Sequence, residues 1–262
     1  MAATEARGGK AFNVYVKPTI PISETAQQVT GIRMVGNNMQ VKGSNVDARP
    51  VCEALKSFCE WLESFDNVVL VAHNGKRFDF PVVITACENV RLCDRLFHCV
   101  SGCADSLPVF KKVFAGRTSY KQEDIARDLL GAAYSAHDAS EDAMVLEKLI
   151  HYLIVLSINL MPFTFPAKAV YSSQLYSREK AKNMPSLRPL VYNSVCKTTT
   201  AEHIAGSGLN HQHLKCIYQR EGEDGLRNIF IMKNCEGQPR VTNTKRTLDS
   251  VIPALALYFS KK

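Results

Sequence analysis

Hydrophobic positions along the chain recur with two periods, and the change between them marks out a first domain. Residues 12–16 alternate aromatic and β-branched side chains and run out at Pro18, which predicts a strand leaving into a loop. Ser23 is placed to cap a short helix through Ala26 and Val29 that Gly31 closes. After Pro50, the residues Val51, Leu55, Phe58, Cys59, Leu62 and Phe65 return at helical spacing and predict a longer amphipathic helix. The period then breaks. Residues 68–72 (VVLVA) form an unbroken apolar run, the pattern of a strand covered on both faces by helices. Helical patterns resume over 80–87, a short strand is predicted over 96–100, and helices over 107–114 and 122–130. A long helix begins near Asp138 and carries Ala143, Val145, Leu146, Leu149, Ile150, Leu153 and Ile154. Strands alternating with helices predict a three-layer α/β domain.

The pattern changes again at residues 161–166 (MPFTFP), where two prolines within five residues cannot continue the preceding helix. The expected organisation is a first domain over 1–160, a linker over 161–192 and a small α+β domain over 193–262. Pro185 and Pro189 predict irregular chain over 172–190. Beyond it, Thr200 is expected to cap a helix, 210–220 to form another, and 229–233 to form a strand. No internal repeat or low-complexity tract interrupts this order.

Composition narrows the class. A chain of 262 residues, 46% hydrophobic and 22% charged, can bury the core of one or two domains. The longest apolar stretch, 149–161, is interrupted by His151, Tyr152, Ser157 and Asn159, so no transmembrane segment and no membrane partner are predicted. The first ten residues have no apolar stretch of the kind a secretory signal carries. Nine cysteines, an odd number scattered through predicted helices and strands, read as reduced thiols and place the protein in the nucleus or cytoplasm. The group His98, Cys99 and Cys103, with Cys93 nearby, lacks the paired CxxC spacing of a zinc site. Net charge is +7, but residues 1–162 hold 17 Lys+Arg against 18 Asp+Glu, while residues 163–262 hold 15 against 7. A basic module of that kind either attracts phosphates by releasing counterions or simply keeps the protein in solution.

Two segments carry candidate chemistry. AHNGKRFDFP follows the apolar strand, and ligands of open α/β sheets bind beyond the carboxyl ends of such strands. Asp79 then stands near the first turn of the next helix, as a metal ligand or as a helix cap. The second segment is AHDASED, with His137 just before the long helix and Asp142 one turn inside it. On its own, a histidine beside a helix start is more often a capping or packing residue. GSG at 206–208 reads as a plain turn or as a close approach to phosphate, and His211 and His213 have no further ligand pattern.

Together, HNGKRFD and HDASED resemble the second and third motifs of the DEDDh exonuclease family, an RNase H-like fold, over roughly residues 10–158. In that family four acids hold two divalent ions and a histidine is the base for the attacking water. The resemblance implies Mg2+ or Mn2+ as cofactor, Asp79 and Asp142 as metal ligands, and His137 as the catalytic base. His73, Asn74 and Phe78 would shape the substrate side, and single-stranded or frayed nucleic acid would be the partner. Two cations of this type activate a water and neutralise charge at the phosphate. The family's first motif, an Asp-x-Glu on an earlier strand, has no match upstream of Phe12, where the only acid is Glu5. The expectation is a mixed-sheet domain that is amino-terminally truncated, with weak or no exonuclease activity. Either the chain is cut short or it is a natural pseudo-enzyme that binds nucleic acid or serves as a protein scaffold. Residues 205–215, 222–226 and 239–242 resemble the tail of fish exonuclease-like proteins related to the longest promyelocytic leukaemia protein isoform. That resemblance implies a small terminal domain able to take a protein partner.

Overall fold

The computed structural model describes residues 1–6, 9–131, 134, 138–234 and 237–261. The chain divides into two units, Met1–Tyr171 and Ser172–Lys262.

In the first unit, β1 (Ala2–Thr4) and β2 (Ala11–Asn13) form an antiparallel pair with Ala3 opposite Phe12. The strand expected over 12–16 is split at Val14, whose backbone bonds Met1 instead, and continues as β3 (Tyr15–Val16). Helix α1 (Glu24–Thr30) starts where Ser23 Oγ accepts from the Ala26 amide at 3.3 Å and ends at Gly31, as the sequence predicts. Strands β4 (Ile32–Val35), β5 (Asn38–Val41) and β6 (Ser44–Val46) make a small antiparallel sheet, and β7 (Ala48–Arg49) pairs in parallel with β3. Helix α2 (Val51–Leu62) follows Pro50 and buries Leu55, Phe58, Cys59 and Leu62 on one face.

The apolar run forms β8 (Val68–Ala72), which leads into α3 (Asp79–Asn89) and α4 (Cys93–Cys99). Residues 96–99 are therefore helix, and the strand of this region is β9 (Val100–Asp105), later than expected. Its sequence, VSGCAD, is weak in strand formers. Pairing with a neighbouring strand overrides that preference, since strand propensity depends largely on context. Helices α5 (Ser106–Val113), α6 (Gln122–Leu130) and α7 (Ala139–Val155) come next. After them the short strand β10 (Thr164–Phe165) adds to the sheet. The order is β10-β9-β8, with β8 parallel and β10 antiparallel to β9, so the sheet is mixed.

Alternation along β8 sends its side chains to opposite faces. Val68, Leu70 and Ala72 pack with Leu55, Phe58, Leu62, Phe80, Ile84 and Leu96 from α2, α3 and α4. Val71 packs with Val109, Phe110, Ile125, Leu149 and Leu153 from α5, α6 and α7. Helices thus cover both faces, and each fully buried Leu or Phe contributes about 2 kcal/mol through area removed from water.

Helix α8 (Ala167–Tyr192) occupies the segment expected to be irregular. Pro185 and Pro189 lie one turn apart on its exposed face. Leu187 and Leu190 point inward and are fully buried.

The second unit is helical where an α+β domain was expected. Helices α9 (Thr198–Gly206), α10 (His211–Ile231) and α11 (Lys245–Ser260) surround Leu187, Leu190, Ile204, Leu214, Leu226, Phe230, Ile252 and Leu255. Lys197, not Thr200, stands at the start of α9. Helix α10 is two helices joined across Gly222 (φ 62°, ψ −148°). Of the strand expected over 229–233, residues 229–231 are the end of α10, because Phe230 is anchored in the core. Among the described residues the unit's β structure is one isolated bridge, Lys233 to Pro239.

Candidate active site at the strand ends

Strands β8 and β9 run parallel and finish side by side, with Ala72 opposite Asp105. The chain leaving β8 must reverse within a few residues to start α3. Asn74 takes a left-handed backbone (φ 59°), which asparagine tolerates better than most residues. Gly75 is buried beneath the turn. A Cβ there would come within 2.5 Å of Ala72 Cβ and 2.8 Å of the Phe80 ring, so only glycine fits.

One carboxylate holds this turn. Asp105 is 6% exposed. Its Oδ1 accepts from the Asn74 amide at 2.9 Å and the Leu107 amide at 3.0 Å, and its Oδ2 accepts from the Lys76 amide at 3.1 Å. The same side chain therefore caps α5 and locks the turn that presents Asp79. Next to it, His73 Nδ1 lies 2.9 Å from Ser106 Oγ, and His73 Nε2 lies 2.8 Å from the Tyr120 carbonyl oxygen. Because the carbonyl only accepts, Nε2 carries the proton and Ser106 donates to Nδ1. Burial lowers the His73 pKa, consistent with a neutral ring whose nitrogens both have protein partners.

Asp79 is the first residue of α3, and Phe78 before it holds the cap position without a side-chain capping bond. The Asp79 surface remains open to solvent. Nearby protein still displaces water, and this desolvation, with the Asp105 charge adding to it, raises the carboxyl above its ordinary range. A bond from its own backbone amide and the nearby His73 oppose the shift. Phe78 is 55% exposed, and the Arg77 guanidinium lies 5.6 Å from its ring centroid.

Asp142 lies in the first turn of α7, which Asp138 caps by accepting from the Ser140 and Glu141 amides at 2.9 and 3.2 Å. Gln122 Nε2 donates to the Asp142 carbonyl at 2.8 Å and to the Tyr134 hydroxyl at 3.2 Å. The Tyr134 hydroxyl is pushed up to about 12 by burial and by the Asp142 charge, and it is also hydrogen-bonded to the Asp142 side chain. Both motif segments thus meet residues 120–122: His73 through the Tyr120 carbonyl and Asp142 through the Gln122 amide. His137 lies outside the described residues.

Asp105, Ser106, Tyr120 and Gln122 were not singled out in the sequence. For Asp105 and Ser106 a signal existed, since ADSL is a capping acid before a predicted helix, but without β9 in view nothing placed it beside the first motif. Tyr120 and Gln122 act through a backbone carbonyl and an amide, which leave no pattern along the chain.

As for a metal, no group of three or more His, Cys, Asp or Glu side chains among the described residues is arranged to hold one. Both Asp105 oxygens are already engaged by amides. Asp79 and Asp142, the two acids the motifs supply, do not by themselves make a two-ion centre.

The candidate site is therefore an acid in a strand-turn-helix at the carboxyl edge of a mixed sheet and a second acid at a helix start, with His73 and the Asp142 backbone each bonded to residues 120–122. The exonuclease family model matches residues 1–150, more than half of the chain, and the protein belongs to that family. A second model, the PML C-terminal domain, matches residues 183–262. A search of curated proteins returned no match. No helix among the described residues is long and apolar enough to cross a membrane.

Proposed function

We propose that the protein is a DEDDh-type member of the exonuclease family that engages single-stranded or frayed 3′ ends of nucleic acid. Asp79 and Asp142 are its phosphate-side carboxylates, and His137 is the base that takes a proton from water. The observation that carries this reading is the shared anchor at residues 120–122, which ties the His73 turn and the Asp142 turn to one segment. The exposed Phe78 ring beside Asp79 supports an unpaired base as ligand, because stacking on an aromatic face needs an unstacked base. Magnesium or manganese is the ion this chemistry calls for, since hard cations take oxygen donors. With two motif acids, weak or no cleavage is expected from the chain by itself.

The test is the purified chain with magnesium or manganese and an end-labelled oligonucleotide, beside Asp142→Ala and His137→Ala. Faint cleavage lost in both variants supports the reading. Robust Asp142-dependent cleavage supports the site and shows that further acids complete it. Cleavage indifferent to both substitutions would overturn the assignment.

The basic excess of residues 163–262 favours a second reading, a pseudo-exonuclease that binds without cutting or serves as a protein scaffold. Binding to nucleic acid that weakens steeply with salt, without cleavage, is its signature. Salt-insensitive binding to a protein, with none to DNA or RNA, would mark the scaffold.

A further inference from the structure

The thiols of the first unit are not evenly spread. Cys59 on α2 is fully buried, while Cys99, the last residue of α4, is partly exposed. Cys99 Sγ lies 3.9 Å from the Cys59 carbonyl oxygen and 3.6 Å from Glu63 Oε1, which sets the two cysteine side chains beside each other. Arg95, one turn earlier on α4, reaches Glu63 on the α2 side with two bonds of 2.7 Å each. The ion pair holds the end of α2 against α4 at the level of the two sulfurs. Cys87, buried in the same apolar cluster as Cys59, lies away from solvent, and Cys93 is turned toward the Ile84 carbonyl at 3.7 Å.

We propose that Cys59 and Cys99 are an oxidation site, closing to a disulfide between α2 and α4 when the protein meets a peroxide. The exposed partner reacts first. Cys99 loses its proton to solvent and attacks a peroxide oxygen; the S–O bond forms, the O–O bond breaks, and water leaves after taking up a proton. Cys59 then attacks the sulfenic sulfur; the S–S bond forms, the S–O bond breaks, and a second water leaves. The two thiols give up two electrons in total and one peroxide accepts them.

The surroundings set the tempo. Burial pushes Cys59 up to about 11 and raises Cys99, and the Glu63 carboxylate adds to both, so little thiolate is present and the first step is slow. The same property makes both sulfurs poor leaving groups, so the finished bond resists thiol attack. Because the two side chains are neighbours across α2 and α4, the second step is effectively intramolecular and fast once sulfenic acid exists. The pair is a latch set by sustained oxidant, and a rapid sensor would need a lower thiol pKa.

The experiment treats the full chain with hydrogen peroxide, blocks the remaining thiols by alkylation, digests without reductant and maps the peptides by mass spectrometry. The expected product is a Cys59–Cys99 linked peptide from protein lighter by two hydrogens, with a melting temperature that rises and falls back after strong reduction. In Cys59→Ala, with its fold checked by circular dichroism, Cys99 should accumulate as sulfinic acid instead. Recovery of Cys99 singly oxidised or alkylated in the wild-type chain, with no linked peptide, overturns the proposal. So does a dominant bridge between any other pair. The wild-type map decides the matter even if the variant fails to fold.

Discussion

The two units bury different things. Among the described residues of Met1–Tyr171 the buried polar side chains, Asp105 and Ser106, both sit where β9 gives way to α5 and both bond the turn beside the candidate site. In Ser172–Lys262 the one buried polar side chain among the described residues is Asn183, whose Nδ2 joins Glu179 at 2.9 Å and the Ala205 carbonyl at 3.2 Å, pinning helix to helix. Polar groups cost free energy to bury unless they are satisfied, so where a protein keeps them is informative. In the first unit they shape a functional edge; in the second they fasten a helical core.

That contrast can be broken or sharpened in steps. Phe230→Ala empties a fully buried aromatic position, and denaturant unfolding should show a loss of about 3–5 kcal/mol confined to the second unit. Peptides from residues 68–80 that lost hydrogen-exchange protection to the same extent would erase the contrast. Asp105→Ala strands three amides at the other end of the comparison and should cost about 3 kcal/mol. Exchange should accelerate at residues 73–77 and 106–108 and leave 187–205 unchanged. If the turn stays protected, Asp105 is not what holds it. Gly206→Ala drives a Cβ to within 2.2 Å of the Tyr176 ring, and about 1–3 kcal/mol should be lost from the second unit on thermal melting.

The smallest effects are electrostatic. Asp79 has its pKa raised by desolvation, so its contribution to stability is present below the ordinary carboxylate range and disappears as pH rises through the raised value. Asp79→Asn should therefore raise the melting temperature slightly near neutral pH and leave it unchanged in acid. A melting temperature that drops at neutral pH would contradict the burial argument. His73 runs the other way. With its pKa lowered by burial, its contribution is present above the ordinary value of 6.5 and fades as pH falls through the lowered one. A His73→Gln variant should flatten that part of the pH profile of the first unit.

What could be read from the chain follows the same division. The VVLVA run, the helix after Pro50, the Ser23 cap and the Asp138 start were legible because each is set by neighbours in sequence. The segment over 172–190 was not. Pro185 and Pro189 argue against a helix locally, and only the burial of Leu187 and Leu190 on the opposite face makes one worthwhile. Likewise Ile229, Phe230 and Ile231 look like a strand until Phe230 is seen anchored among helices. At the candidate site the acids in the two motifs were visible as residue types. Asp105 was not, because its role depends on the register that sets Ala72 against Asp105.

The course of α8 bears on how this protein is cut into pieces. Residue 183, where the second sequence match begins, is in mid-helix. A fragment started there would shed Glu179, which grips Asn183, and Tyr176, whose ring covers Gly206 and whose hydroxyl reaches the Glu202 carbonyl at 3.3 Å. The compact second unit begins upstream, at Ser172, and α8 itself begins at Ala167, so any dissection meant to assign binding to the tail alone should keep the whole of α8.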